Sequence, residues 1–103
     1  MGNGDDRSRS AFAVPVGELP AEGESYGDLG GVQYGVWEHL PGTSTDVEAD
    51  EVFVVLTGRG TVRFESGEVL DLAPGVVARL HAGERTTWEI TEPLRKVYAV
   101  TRD

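Results

Sequence analysis

Carboxylates and aromatic rings are the chemical resource of this chain; histidines are scarce and thiols are absent. It carries 18 Asp and Glu against 9 Lys and Arg, with 2 histidines and no cysteine, for a net charge of −9. Glu51 opens the segment EVFVVLTG, and Glu38, Glu48, Asp50 and Glu89 supply further acid. A positioned glutamate does general acid/base work or anchors a substrate amine or hydroxyl. The competing reading of Glu51 is a strand-edge residue, solvated or tied to an arginine such as Arg63 or Arg79. His39 and His81 together with Glu51 have the composition of a two-histidine, one-carboxylate metal site. Their spacing matches no closed ligand set, so both read as rim or surface residues and no metal site is assigned. Without cysteine there is no thiolate ligand, disulfide or thiol nucleophile, and no serine stands in a nucleophile-elbow context.

Trp88 lies two residues after Thr86, so in a strand the two side chains share a face. Trp37, Tyr34 and Tyr98 also fall on candidate strands. Such rings form a wall that sorts planar or apolar ligands, or they fill a core. Arg63 and Arg79 are candidate anchors for a ligand carboxylate or ordinary solvated residues. Gly58-x-Gly60 and Gly30-Gly31 open no helix, so they read as tight turns rather than phosphate loops.

The elements that must position these groups are short strands. Phe12–Val16 is a candidate first strand. Gly31–Leu40 follows and ends at Pro41-Gly42. Val52–Leu56 is an apolar, mostly β-branched run, and Thr57-Gly58-Arg59-Gly60 reads as a turn into Thr61–Glu65, where Val62 and Phe64 alternate with polar residues. Ser66-Gly67, Pro74-Gly75, Ala82-Gly83 and Glu92-Pro93 punctuate the rest into Val69–Leu72, Val76–Leu80, Thr86–Thr91 and Leu94–Thr101. Strands at this spacing, with Gly or Pro between them, predict an all-β sandwich or barrel with little or no helix.

The chain has 103 residues, 39% of them hydrophobic, which suits one domain with one modest core. Residues 1–11 are Gly, Ser, Asn and charge, and are expected to form a disordered tail ahead of a single domain over 12–103. No apolar run is long enough to span a bilayer, and the N-terminal residues do not read as a secretory signal. With the lack of cysteine, this fits a reducing cytoplasm. The acidic balance argues against nucleic-acid and membrane partners.

The turn pattern and the residues Trp37-Glu38, Pro41-Gly42, Glu51 through Gly58, Pro74-Gly75, Ala82-Gly83, Trp88-Glu89 and Glu92 through Tyr98 resemble the cupin superfamily. Within it they are similar to the small single-domain group related to ethanolamine-utilisation Q proteins and ureidoglycine aminohydrolases. The resemblance implies a double-stranded β-helix, a jelly-roll-like barrel of eight strands in two facing sheets, and a possible homodimer. It also implies a metal held by three histidines and a glutamate, and here the sequence departs. The glutamate position is Glu51, but the paired histidine positions ahead of it hold Thr45 and Val47, or Ser44 and Asp46. His81 replaces the usual proline of the second motif, and Thr86 replaces its histidine. The expectation is therefore a metal-independent, cofactor-free cupin that takes a small polar metabolite, with acid/base work at Glu51 of isomerase, lyase or hydrolase type. Its pocket is expected to be lined by Glu51, Thr86 and Trp88, with Trp37, Tyr34 and Arg79 as further wall residues. A metal-dependent enzyme with displaced ligands and a non-catalytic binding or regulatory module are the alternatives.

Overall fold

In the computed structural model, which describes residues 27–101, the chain is built on two long strands that each serve two sheets. In chain order the strands are β1 (Gly27–Leu29), β2 (Val32–His39), β3 (Gly42–Val47), β4 (Glu51–Phe64), β5 (Val69–Leu72), β6 (Val77–Leu80) and β7 (Arg85–Thr101). There is no helix among the described residues. The first half of β4 pairs antiparallel with β6 on one side and with the second half of β7 on the other, and β2 and β1 continue that sheet. The second half of β4 pairs with β5 and with the first half of β7, which β3 flanks. The two sheets face each other across one core that includes Phe53, Val55, Val62, Leu72, Leu80, Trp88 and Leu94. The hydrogen-bonded path runs β1-β2-β7-β4-β5, with β3 and β6 attached at the side, and it does not close into a complete barrel.

Two expected turns are corners inside continuous strands. Thr57–Gly60 does not end a strand: β4 runs through it with successive register shifts against β7. Its inward side chains are Glu51, Phe53 and Val55 before the corner and Val62 and Phe64 after it, so the inward set switches from odd to even numbers. That switch is the mark of a β-bulge, which inserts residues into one strand and bends it. Gly58, at φ 99°, supplies the left-handed backbone the bend requires. Glu92-Pro93 likewise lies within β7 rather than between two strands. Pro93, which has no N–H to give, falls where the pairing skips from Glu92 to Arg95. The bulge in β4 and the proline in β7 therefore face each other and bend both sheets at one place.

β3 was not expected as a strand. Its sequence GTSTDV is exposed at every position but Ser44, so it carries no apolar period to read. The chain between Val47 and Glu51 is fixed from outside. Glu48 N–H donates to the Glu84 carbonyl and Gly83 N–H to the Glu48 carbonyl, both at 2.8 Å. Asp50 Oδ1 accepts from Ala82 N–H at 3.0 Å and from Arg79 at 3.2 Å. The Ala82 N–H first, then Arg79, hold the Asp50 carboxyl below its ordinary 3.8. A depressed carboxyl contributes stability above its unfolded value and loses it as pH falls through the folded one. Asp50→Asn should therefore flatten the fall of melting temperature below pH 3.8. An unchanged acid profile would show that this clamp does not couple to folding. The expected tail over residues 1–11 and the strand at Phe12–Val16 lie outside the described residues.

Candidate functional site

Strand alternation brings one face of each sheet to a common cleft. On β7, Leu94, Lys96 and Tyr98 point inward, with Trp37 opposite Lys96 on β2 and Val55 opposite it on β4. Tyr98 stands opposite Phe53, and Glu51 opposite Val100 and Leu80. From the second sheet, Trp88 and Thr86 turn inward beside Ser44 and Asp46 of β3. These groups meet at a cleft of about 120 Å³ whose lining includes Trp37, Glu48, Glu51, Trp88, Lys96 and Tyr98.

At its floor is an ion pair. Lys96 Nζ donates to Glu51 Oε2 at 2.7 Å, and the side chains are only 6% and 12% exposed. The ammonium also lies 4.2 Å from the Phe53 ring centroid, 4.6 Å from Trp37 and 4.9 Å from Trp88. A cation over ring faces is attracted by their quadrupoles, most strongly where water is excluded. The rings also brace one another, with Trp37 and Trp88 centroids 5.5 Å apart and Phe53 and Trp88 5.8 Å apart. Burial pushes the Glu51 carboxyl above its ordinary 4.5, Lys96 pulls it part of the way back, and nearby Glu48 and Asp46 add to the upward push.

A second carboxylate stands beside this pair. Glu48 is buried, and its Oε2 accepts from Thr86 Oγ1 at 2.6 Å and from Trp88 Nε1 at 3.0 Å. The main-chain bonds from Gly83 and to Glu84 hold Glu48 in place, and Glu48 in turn fixes the plane of Trp88. The arrangement thus offers a proton-transfer pair, a second fixed carboxylate and an aromatic wall.

Of the residues expected to line a pocket, Glu51, Trp88 and Trp37 meet here, and Thr86 sits one hydrogen bond behind Glu48. Tyr34 and Arg79 do not join them. Tyr34 is an odd number of residues from Trp37 on β2, so it faces the other side, where its ring covers Gly27. Arg79 pairs across to outward Val52 and binds Asp50. Glu51 is tied to Lys96 rather than to Arg63 or Arg79, and Arg63 reaches Glu89 instead. His39 meets Ser44 Oγ at 2.8 Å, and His81 is exposed beside Glu84.

Lys96 and Glu48 escaped the sequence reading. The signal for Lys96 was its alternation with Leu94 and Tyr98; for Glu48 no local signal exists. A wider groove of about 700 Å³ runs along Thr45, Arg63, Arg85 and Thr87, and its ionisable lining is all exposed.

The donor set does not fit the metal that this type of fold implies. Among the described residues no three or more His, Cys, Asp and Glu side chains are grouped to hold an ion. The one carboxylate at a motif position, Glu51, already has an ammonium at hydrogen-bond distance, and Thr86 is engaged by Glu48.

Two facing sheets that share bent strands, with the inner face opening to a cleft, define a cupin fold. The profile of the EutQ-like cupin domain matches residues 26–98, and the chain belongs to that family. It is similar to a Rhizobium leguminosarum protein of unknown function, with 28% identity and a TM-score of 0.70 over 77% of this chain and 78% of that one. A putative ethanolamine utilisation protein Q of Salmonella typhimurium is 22% identical, with a TM-score of 0.62, over 69% of this chain and 58% of its own. A cupin superfamily protein of Desulfitobacterium hafniense is 16% identical, with a TM-score of 0.64, over 77% and 74%. The latter two likenesses speak to the fold alone. No curated protein matches the chain.

Proposed function

We propose that this cupin domain binds a small polar metabolite in the Trp37–Trp88 cleft without a metal ion, and that Glu51 exchanges a proton with it. The observation that carries the reading is the Lys96–Glu51 pair, a charged pair of hydrogen-bond length at the floor of an aromatic cleft. A carboxyl raised by burial and held at hydrogen-bond distance from an ammonium has a proton-transfer partner in place. Lys96 places a positive charge beside an oxyanion that develops as the proton leaves, as preorganised charges do in other sites. Reactions with this requirement are isomerisation, elimination and hydrolysis. The cleft, about 120 Å³, has room for roughly four waters at ~30 Å³ each, which suits a small ligand. Trp37 and Trp88 would cover its apolar side, while Glu48 and Asp46 favour a neutral or amine-bearing ligand over an organic acid.

The test is a metabolite screen by thermal shift, since a ligand of the folded state raises its melting temperature. A hit should change tryptophan fluorescence, and Glu51→Gln should weaken its binding about tenfold or abolish its turnover. A screen of small amines, alcohols and carbonyl compounds with no hit that meets both criteria would overturn the proposal. One observation favours binding without turnover: Glu51 already has its partner within the chain. Hits that bind wild type and Glu51→Gln alike, with no product formed, would assign the domain to that class.

A further inference from the structure

Lys96 is the only lysine of the chain, and every other Lys or Arg position is arginine. In a protein with 18 acidic residues a lysine is ordinarily a surface charge; here the single one is 5% exposed and lines the cleft. A guanidinium forks onto a carboxylate with more hydrogen bonds, so charge pairing with Glu51 alone gives no reason to depart from arginine. An amine does what a guanidinium cannot: it gives up its proton and becomes a nucleophile.

We propose that Lys96 is a carbonyl-binding nucleophile, whose Nζ condenses with a small uncharged aldehyde in the cleft to form an imine. This rests on the reading of Glu51 as the proton-transfer group of the same site. Glu51 takes one proton from the Lys96 ammonium across the 2.7 Å bond. The freed lone pair forms a C–N bond to the carbonyl carbon, the C=O π pair moves to oxygen, and oxygen takes the proton back from Glu51. The nitrogen then loses a second proton to Glu51. Its lone pair expels the hydroxyl, which leaves as water with that proton. The sum is ammonium plus aldehyde giving protonated imine plus water, with Glu51 returned as carboxylate. The product is again a cation at Nζ, so it keeps the attraction of Glu51 and of the Phe53, Trp37 and Trp88 rings that hold the resting ammonium. Size and charge select the partner. The cleft is small, and Asp46, Glu48 and Glu51 outnumber Lys96 among its lining charges, which disfavours keto acids.

The test uses the intact wild-type chain, acetaldehyde and sodium cyanoborohydride at neutral pH, with peptide mapping by mass spectrometry. The chain has two kinds of primary amine, Lys96 and the α-amine. The α-amine serves as the internal reference for the rate at Lys96. Ethylation at Lys96 about tenfold faster than at the α-amine, and faster than with pyruvate, supports the proposal. Modification confined to the α-amine, or reaching Lys96 only in urea, overturns it. Glu51→Gln, checked for folding by circular dichroism, should slow labelling of Lys96 about tenfold. If the variant labels as fast as wild type, the carbonyl site stands and the acid/base reading of Glu51 fails. If Lys96 resists labelling while a screened ligand still binds, the carbonyl proposal fails and the binding reading stands.

Discussion

Lys96→Met will destabilise the domain by about 3–5 kcal/mol at neutral pH, the cost of removing one partner from a buried ion pair. Methionine matches the stem of lysine in length and keeps its packing against Trp37, Phe53 and Trp88, so the loss isolates the charge. What remains is the Glu51 carboxylate, 12% exposed, with no counter-charge at hydrogen-bond distance. Without Lys96 nothing offsets the burial that already pushes Glu51 above its ordinary 4.5. A carboxyl raised in the folded state destabilises that state progressively as pH rises from the unfolded value through the folded one. The penalty should accordingly shrink as pH falls toward 4.5 and grow as pH rises above it. Lys96→Met/Glu51→Leu should regain most of the loss, because replacing both members of a buried pair by apolar groups of similar volume is near neutral. Urea unfolding of wild type, both single variants and the double variant measures the cycle. A Lys96→Met domain within about 1 kcal/mol of wild type at pH 7 would show that water reaches Glu51 and the floor of the cleft is wet.

The parts of this architecture that sequence made legible are those where local chemistry has one meaning. Ser66-Gly67, Pro74-Gly75 and Ala82-Gly83 turn as expected, with Gly67, Gly75 and Gly83 all at positive φ. Val62 and Phe64 alternate inward because one face of their strand is buried. Ambiguity entered where one residue type serves two structures. Gly58 and Gly60 suit a turn and a bulge equally, and only the partner strand, with Pro93 opposite, decides between them. β3 was invisible because an exposed edge strand needs no apolar period. Lys96 alternates with Leu94 and Tyr98 in a pattern that places it inward, but a charge in a strand reads as solvent-facing unless its partners are known. Those partners, Glu51, Phe53, Trp37 and Trp88, come from other strands. Tyr34 shows the converse: an aromatic residue near Trp37 in sequence, placed on the opposite face by parity.

Gly58→Val will cost about 3 kcal/mol or more, enough to unfold a domain of marginal stability. Two effects add at this position. The backbone sits at φ 99°, a conformation that a β-branched residue resists. A Cβ at Gly58 would also run into the carbonyl oxygen of Pro93 and the Cα of Leu94. Both are main-chain atoms of the facing strand, so no rotamer change relieves the collision. Relief requires β4 and β7 to separate at the corner, which disturbs the register on both sides. Phe53 and Val55 would then slip against Tyr98 and Lys96, and Val62 against Trp88. Gly67 provides the control: its φ is 100°, but a Cβ there meets nothing within 4 Å. Gly67→Ala should carry the backbone strain alone, about 1–2 kcal/mol. Gly58→Ala should lose clearly more than Gly67→Ala, and Gly58→Val more again. Thermal unfolding of the three variants separates strain from collision. If Gly58→Ala and Gly67→Ala melt together, the strands have room at the corner and the bulge is set by backbone conformation alone. A larger loss at Gly58 would make the close approach to Pro93 the feature that bends both sheets and brings Glu51 and Trp88 to one cleft.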